Sequence, residues 1–243
     1  MILHINRIII LSLIIIAGCK ETNQASDVTF AQVVTKMDID GHVSEMAWDK
    51  ADWRDIDNVW LGGSYNAEDF SGRYKTLWSK DRLYVVAEII DDTLVDIHPD
   101  GLERYWDDDC LEVFVDVDAS GGNHQYNYNA FAYHIGLDGK VVDIGVDSLP
   151  HYYNHVVSAM THKGNMTTWE LSIALYDESF ERNKSSKEYK LSAGHDIGFA
   201  IAYCDNDHSQ EREHFIGSVA IKGEDKNRGW IDAGIFERVT LVE

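Results

Sequence analysis

Tyr105–Asp118, YWDDDCLEVFVDVD, is the stretch that decides how this chain folds. Successive side chains of a strand point to opposite faces, so Leu111, Val113, Val115 and Val117 share one side. That side is uniformly aliphatic and belongs in a core. Cys110, Glu112, Phe114 and Asp116 take the other, outward side. Glu112 is therefore a carboxylate fixed on a firmly anchored sheet face, six residues from Trp106. Such a pair is placed to receive a ligand. The aspartates Asp107 to Asp109 precede the strand and read as residues that shape or charge a loop.

The strand signal repeats along the chain. Leu83 to Ile90 is β-branched and apolar after the turn at Ser79-Lys80-Asp81. Tyr126 to Ile135 turns through Gly136-Leu137-Asp138-Gly139 into Lys140 to Ile144. His155 to Met160 and Trp169 to Leu175 flank Lys163-Gly164-Asn165, and Ile197 to Tyr203, Phe215 to Ile221 and Phe236 to Val242 follow. Short strands separated by turn residues predict an all-β, antiparallel, jelly-roll-like sandwich. Only Ser44 to Ala51, with Ser44 as N-cap, and Tyr176 to Asn183 suggest short helical turns. In Ile197 to Tyr203 one face is large, whereas Gly198, Ala200, Ala202 and Cys204 make the other small. A small face implies a concave surface or a closely packed neighbouring layer.

The chain has 243 residues and a formal charge of −21, which argues against a nucleic-acid partner because phosphates would be repelled. Residues 8–17, IIILSLIIIA, follow Arg7 and are too short to span a bilayer comfortably. They end in Ile16-Ala17-Gly18-Cys19, which looks like a bacterial lipobox. Residues 1–18 are thus expected to be a lipoprotein signal peptide, Cys19 the lipidated residue, 19–36 a tether and 37–243 the folded domain. The expected location is the bacterial cell envelope, with the lipid anchor holding the domain at a membrane. Export implies an oxidising compartment, where Cys110 and Cys204 could pair as a disulfide or stay as small core residues.

Three chemistries compete for the carboxylates. A glycosidase needs two carboxyl groups across a sugar bond, which Glu112 with Asp107 or Asp109 would supply, but no other catalytic signature accompanies them. Calcium takes hard oxygen ligands, and Asp91, Asp92 and Asp109, with the neighbouring acids Asp107, Asp108, Asp116 and Asp118, are its candidates. The third reading joins aromatic and polar groups. A sugar offers C–H faces to a stacked tryptophan and hydroxyls to hydrogen-bonding side chains. Trp106 with Glu112 makes one such set, and Trp230 in Lys226-Asn227-Arg228-Gly229-Trp230 makes another. Trp48, Trp78 and Trp169 sit among apolar positions and read as core.

These residues resemble the family 9 carbohydrate-binding modules and their wider DOMON-like β-sandwich relatives. The resemblance runs from about Met37 to Glu243. It opens with Ile39-Asp40-Gly41, Glu45, Trp48 and Ala51 and continues through Leu83-Tyr84-Val85 and Asp91-Asp92. It is strongest from Trp106 to Asp116, similar to W-x-x-D-x-[VL]-E-[IV]-[FL]-[ILV]-D, and closes with Ile197-Gly198-Phe199 and the final Gly-Trp. The resemblance implies a non-catalytic domain that binds sugar, often at a chain end, between two tryptophans, Trp106 and Trp230. Glu112 and Asn227 are implied as hydrogen-bonding contacts, and Asn129 and Tyr133 stand nearest to further polar contacts. It also implies structural calcium and a glycoside hydrolase as partner. Ala202 departs from the pattern, standing where sugar-binding members carry a polar side chain. Related sandwich domains hold haem, for which Met160 with His162 or His134 are the available axial residues.

Overall fold

The computed structural model describes residues 28–243. The signal run 1–18 and Cys19 lie outside the described residues. Among the described residues fourteen strands form: β1 (Thr29–Gln32), β2 (Arg54–Ile56), β3 (Asn58–Leu61), β4 (Phe70–Trp78), β5 (Leu83–Asp91), β6 (Cys110–Asp116) and β7 (Phe131–Gly136). They continue as β8 (Val141–Ile144), β9 (Pro150–Tyr152), β10 (Val156–Lys163), β11 (Met166–Ile173), β12 (Asp196–Asp205), β13 (His214–Gly217) and β14 (Glu237–Val242). The expected all-β sandwich is what forms. One layer runs β10-β11-β5-β4 and the other β14-β12-β6-β7-β8-β9, with β1 between β4 and β14 at the seam. Pairing is antiparallel except for β1, which is parallel to both neighbours.

β1 also revises the N-terminal boundary. Thr29–Gln32 falls within the stretch read as a tether, yet Phe30 and Val33 are buried and β1 closes the sheet. Phe30 packs edge-on against Phe199, a long-range contact that the short run Val28-Thr29-Phe30-Ala31-Gln32-Val33 does not announce. Two short 3₁₀ turns form among the described residues, at Met46–Lys50, preceded by Glu45 rather than Ser44, and at Ala233–Ile235; the expected turn at Tyr176 to Asn183 is not helical.

The two layers enclose a core in which Leu111, Val113 and Val115 of β6 face Val85 and Ala87 of β5 and Trp169 and Leu171 of β11. Each buried aliphatic or aromatic side chain contributes roughly 1.5–3 kcal/mol. Trp48, Trp78 and Trp169 are all buried, as their apolar settings predict.

The second face of β6 differs from expectation. Cys110, Glu112 and Phe114 are as buried as the aliphatic face, because a smaller apolar cluster covers them. Ala200, Ala202 and Cys204 of β12 form its floor, and Trp60, Phe215, Ile221 and Phe236 come down onto it. The small residues admit this layer. Gly217 shows how tight it is: a Cβ there would stand 2.1 Å from the Trp60 ring. The cover stops short of Glu112, and a pocket opens above that residue.

Candidate functional site

The pocket has a volume of about 360 Å³ and is lined by Glu112, Arg212, Asn227 and His134, with Trp106, Trp230, Tyr105, Phe114, Ile144 and Phe215 as walls. Trp106, Glu112, Trp230 and Asn227, up to 230 − 106 = 124 residues apart in sequence, thus come together.

Glu112 lies on the pocket floor with 2% exposure, not on an open outward face. Its Oε1 takes every protein contact: His134 Nε2 at 2.9 Å, Arg212 Nη1 at 3.2 Å and the Cys204 thiol at 3.0 Å. Oε2 makes no hydrogen bond among the described residues, nor is it one of the sealed, unpartnered atoms, so it opens to the pocket. Burial alone would raise the Glu112 carboxyl, but His134, Arg212 and the Cys204 thiol outweigh it and hold the group below its ordinary range.

Arg212 is the residue the sequence reading lacked. Its guanidinium lies 4.1 Å over the Phe215 ring, donates to Glu112, and gives Nη2 to Asn227 Oδ1 at 3.0 Å. Asn227 is thereby oriented, and its side-chain NH₂ makes no hydrogen bond among the described residues. The loop carrying Arg212 is held from below by the aspartates of the opening stretch. Asp107 Oδ1 accepts the Arg212 backbone N–H at 3.2 Å, and Asp109 Oδ1 accepts that of Asn206 at 2.7 Å. Asp108 accepts the backbone N–H groups of Ile97 and His98. All three aspartates are loop clamps, as their position before the strand suggests.

The tryptophans are mounted differently. Trp106 is 39% exposed and touches Tyr105 edge-on at 4.9 Å, and Tyr105 in turn touches His134 at 4.7 Å. Trp230 is half-buried against the smaller cluster. Gly229 before it passes so close to Phe114 that a Cβ would lie 3.1 Å from the ring, and its carbonyl accepts from His124 Nε2 at 2.7 Å.

Two suggested contacts are elsewhere. Tyr133 points into the main core, where it is fully buried and its hydroxyl meets His155 Nε2 at 2.7 Å. It pairs with Val113, so it shares the aliphatic face rather than that of Glu112. Asn129 donates to the Gly121 carbonyl at 2.9 Å and braces a neighbouring loop. Ala202 belongs to the apolar floor. For the haem reading, His134 faces the pocket and is held by Glu112, Met160 packs on the main core and His162 bonds Thr167.

Asp91 and Asp92 enter a second constellation. Oxygens of Asp91, Asp205 and Asp207 lie within 4.8 Å of one another, as do those of Asp69, Asp92 and Asp207. Oδ1 of the fully buried Asp205 has no hydrogen-bond partner, and neither has Oδ1 of Asp207. Burial pushes Asp91 up to about 6 and Asp205 up to about 7. Asp109 is not among the carboxylates gathered there; its oxygens accept the backbone N–H groups of Val95 and Asn206. Finally, Cys110 and Cys204 stand directly opposite each other in the β6–β12 register and carry free thiols in this structure.

Comparison with known proteins agrees with this architecture. Residues 39–243 match the family described as "carbohydrate family 9 binding domain-like", and the chain belongs to it. Among solved structures it is similar to a family 9 carbohydrate-binding module from Caldicellulosiruptor kristjanssonii in complex with cellotriose, with TM-score 0.67 and 17% identity over 88% of this chain and 93% of that one. The same module in complex with glucose gives TM-score 0.62 with 17% identity and the same coverage. A putative carbohydrate-binding protein from Bacteroides uniformis gives 0.60 at 12% identity, covering 89% and 99%. At these identities the likeness is one of fold. No curated protein matches the chain significantly.

Proposed function

We propose that this chain is a non-catalytic carbohydrate-binding protein that takes a neutral sugar between Trp106 and Trp230. The observation that carries the reading is the divided Glu112 carboxylate: Oε1 is saturated by protein donors while Oε2 makes no such bond. A fixed acceptor of this kind, beside the unpaired NH₂ of Asn227 and under two aromatic walls, suits a hydroxyl-rich, partly apolar ligand. Glu112 and Arg212 already neutralise each other, and the chain's charge of −21 disfavours an acidic saccharide. The family and the sugar complexes of the Caldicellulosiruptor module support the same class.

Hydrolysis is the weaker reading. Glu112 is the one carboxylate lining the pocket among the described residues, and Asp107 and Asp109 are occupied by loop N–H groups. Two-carboxylate chemistry has no second partner there. The Ile16-Ala17-Gly18-Cys19 run supports a lipid-anchored protein of the cell envelope, and the family resemblance is the ground for a role beside a glycoside hydrolase in carbohydrate catabolism. Calorimetric titration with glucose, cellobiose and cellotriose, followed by a wider neutral glycan panel, tests the ligand class. One-to-one binding by at least one of them is expected, with no reducing-sugar release; silence across the whole panel would end the proposal.

The second constellation fits a structural calcium ion. Calcium is held by six to eight oxygens, and the orphaned Asp205 Oδ1 is an acceptor for which the described residues offer no donor. Asp91, Asp92, Asp205, Asp207 and Asp69 would hold it, tying the loop after β5 to the end of β12. At a hundredfold excess over its dissociation constant such a ligand adds about 2.7 kcal/mol. For a domain of this size that is a rise in Tm of roughly 5–10 °C over the chelated protein. Identical melting curves in calcium and in chelator would rule the ion out.

A further inference from the structure

We propose that Cys110 and Cys204 are a disulfide-forming pair that staples β6 to β12 beneath the pocket. The two residues are cross-strand partners in an antiparallel ladder, opposite each other at the end of the β6–β12 register. Paired Cα atoms in such a ladder are about 4.5–5.5 Å apart, inside the range a disulfide spans without backbone movement. Their sulfurs also face each other: both lie within 4.8 Å of one another and of a Glu112 oxygen.

A metal ion on Cys110, Glu112 and Cys204 is the competing use of this cluster, and Arg212 argues against it. Its guanidinium already stands 3.0 Å from Cys204 Sγ and 3.2 Å from Glu112 Oε1, so a dication would meet a fixed positive charge. Arg212 does not obstruct a covalent bond between the sulfurs. Both cysteines are almost wholly buried and burial raises both thiols, so exchange in the folded protein is slow. Closure therefore belongs to folding, before the 206–213 loop seals the site.

The oxidant is of the small-molecule or protein disulfide class. A thiolate of one cysteine attacks it, one exchanging thiol leaves, and the second cysteine resolves the mixed disulfide, releasing the other thiol. Each cysteine gives up its proton, and two electrons pass to the exchanging disulfide, which ends as two thiols. Closure removes the Cys204 S–H that donates to Glu112 Oε1, leaving that oxygen to Arg212 and His134. The bond constrains a long segment of the unfolded chain, so its effect on stability is large.

The test is refolding of the full chain in a glutathione buffer poised to oxidise, beside a sample in excess dithiothreitol. Mass spectrometry of a non-reduced digest is expected to give a crosslinked peptide pair containing Cys110 and Cys204, lighter by two hydrogens. The oxidised protein is expected to melt on the order of 10 °C above the reduced one. Cys110→Ser is expected to fold but to lose this redox difference. Two unlinked thiols after oxidative refolding, or a crosslink confined to Cys19, would overturn the proposal. None of these readouts involves a sugar, so failure of the carbohydrate reading leaves the result intact.

Discussion

Replacing Arg212 with alanine is expected to lower the melting temperature by on the order of 10 °C and to abolish sugar binding. The guanidinium is nine-tenths buried and is one of two basic groups on a carboxylate that is almost fully enclosed. Removing one member of a buried pair leaves the other charge stranded, which costs about 3–5 kcal/mol. A domain of this length loses about 2–4 °C per kcal/mol. Binding fails for a separate reason. Arg212 orients Asn227 through its Oδ1 and anchors Glu112 through Oε1, so both polar contacts lose their geometry together. The double variant Arg212→Met/Glu112→Gln separates these effects. With the Arg212–Glu112 ion pair removed as a whole and most of the volume kept, it is expected to recover much of the stability while still failing to bind. A single Arg212→Ala variant melting within about 2 °C of the parent would show that the Arg212–Glu112 pair does not hold the pocket floor together.

What could be read in advance follows from the physics of each feature. The alternation of Leu111, Val113, Val115 and Val117 specifies a strand and its faces, so Glu112 was legible as soon as that strand was. That Glu112 is covered rather than outward was half-visible: the facing positions on β12 are small, and small residues invite a second layer. Arg212 sits in His208-Ser209-Gln210-Glu211-Arg212-Glu213-His214, a run with no periodicity, so nothing local announces its burial. The signal lay elsewhere, since a carboxylate beside Cys110 and Phe114 needs a cation. The partners of the acidic run were equally hidden, because Asp107 and Asp109 clamp N–H groups 105 and 97 residues away. Tyr133 was misplaced for a local reason. Phe131, Tyr133 and Ile135 keep a strict period of two on the core face, and that alternation excludes the pocket.

Trp106→Ala is expected to weaken sugar binding about 30-fold while leaving the melting temperature within about 2 °C of the parent. The residue is 39% exposed, and its ring touches Tyr105 without entering either of the apolar clusters below, so little packing is lost. Its backbone also stays in place, because the loop is closed by the Arg104–Asp107 pair and the Asp107 N–H to Arg104 carbonyl bond. A sugar face covering roughly 80 Å² of indole loses about 2 kcal/mol at 25 cal/mol per Å². That energy corresponds to the stated factor, a tenfold change being about 1.4 kcal/mol. Trp106→Phe, which keeps an apolar face of smaller area, is expected to fall between the two. Trp230→Ala makes the comparison informative, because Trp230 also packs on the smaller cluster and should cost stability as well as affinity. Calorimetric titration of the three variants against the best ligand of the glycan panel measures the series. If Trp106→Ala binds as tightly as the parent while Glu112→Gln does not, the sugar stands on the carboxylate without stacking on Trp106, and the outer wall of the pocket must be drawn from other residues.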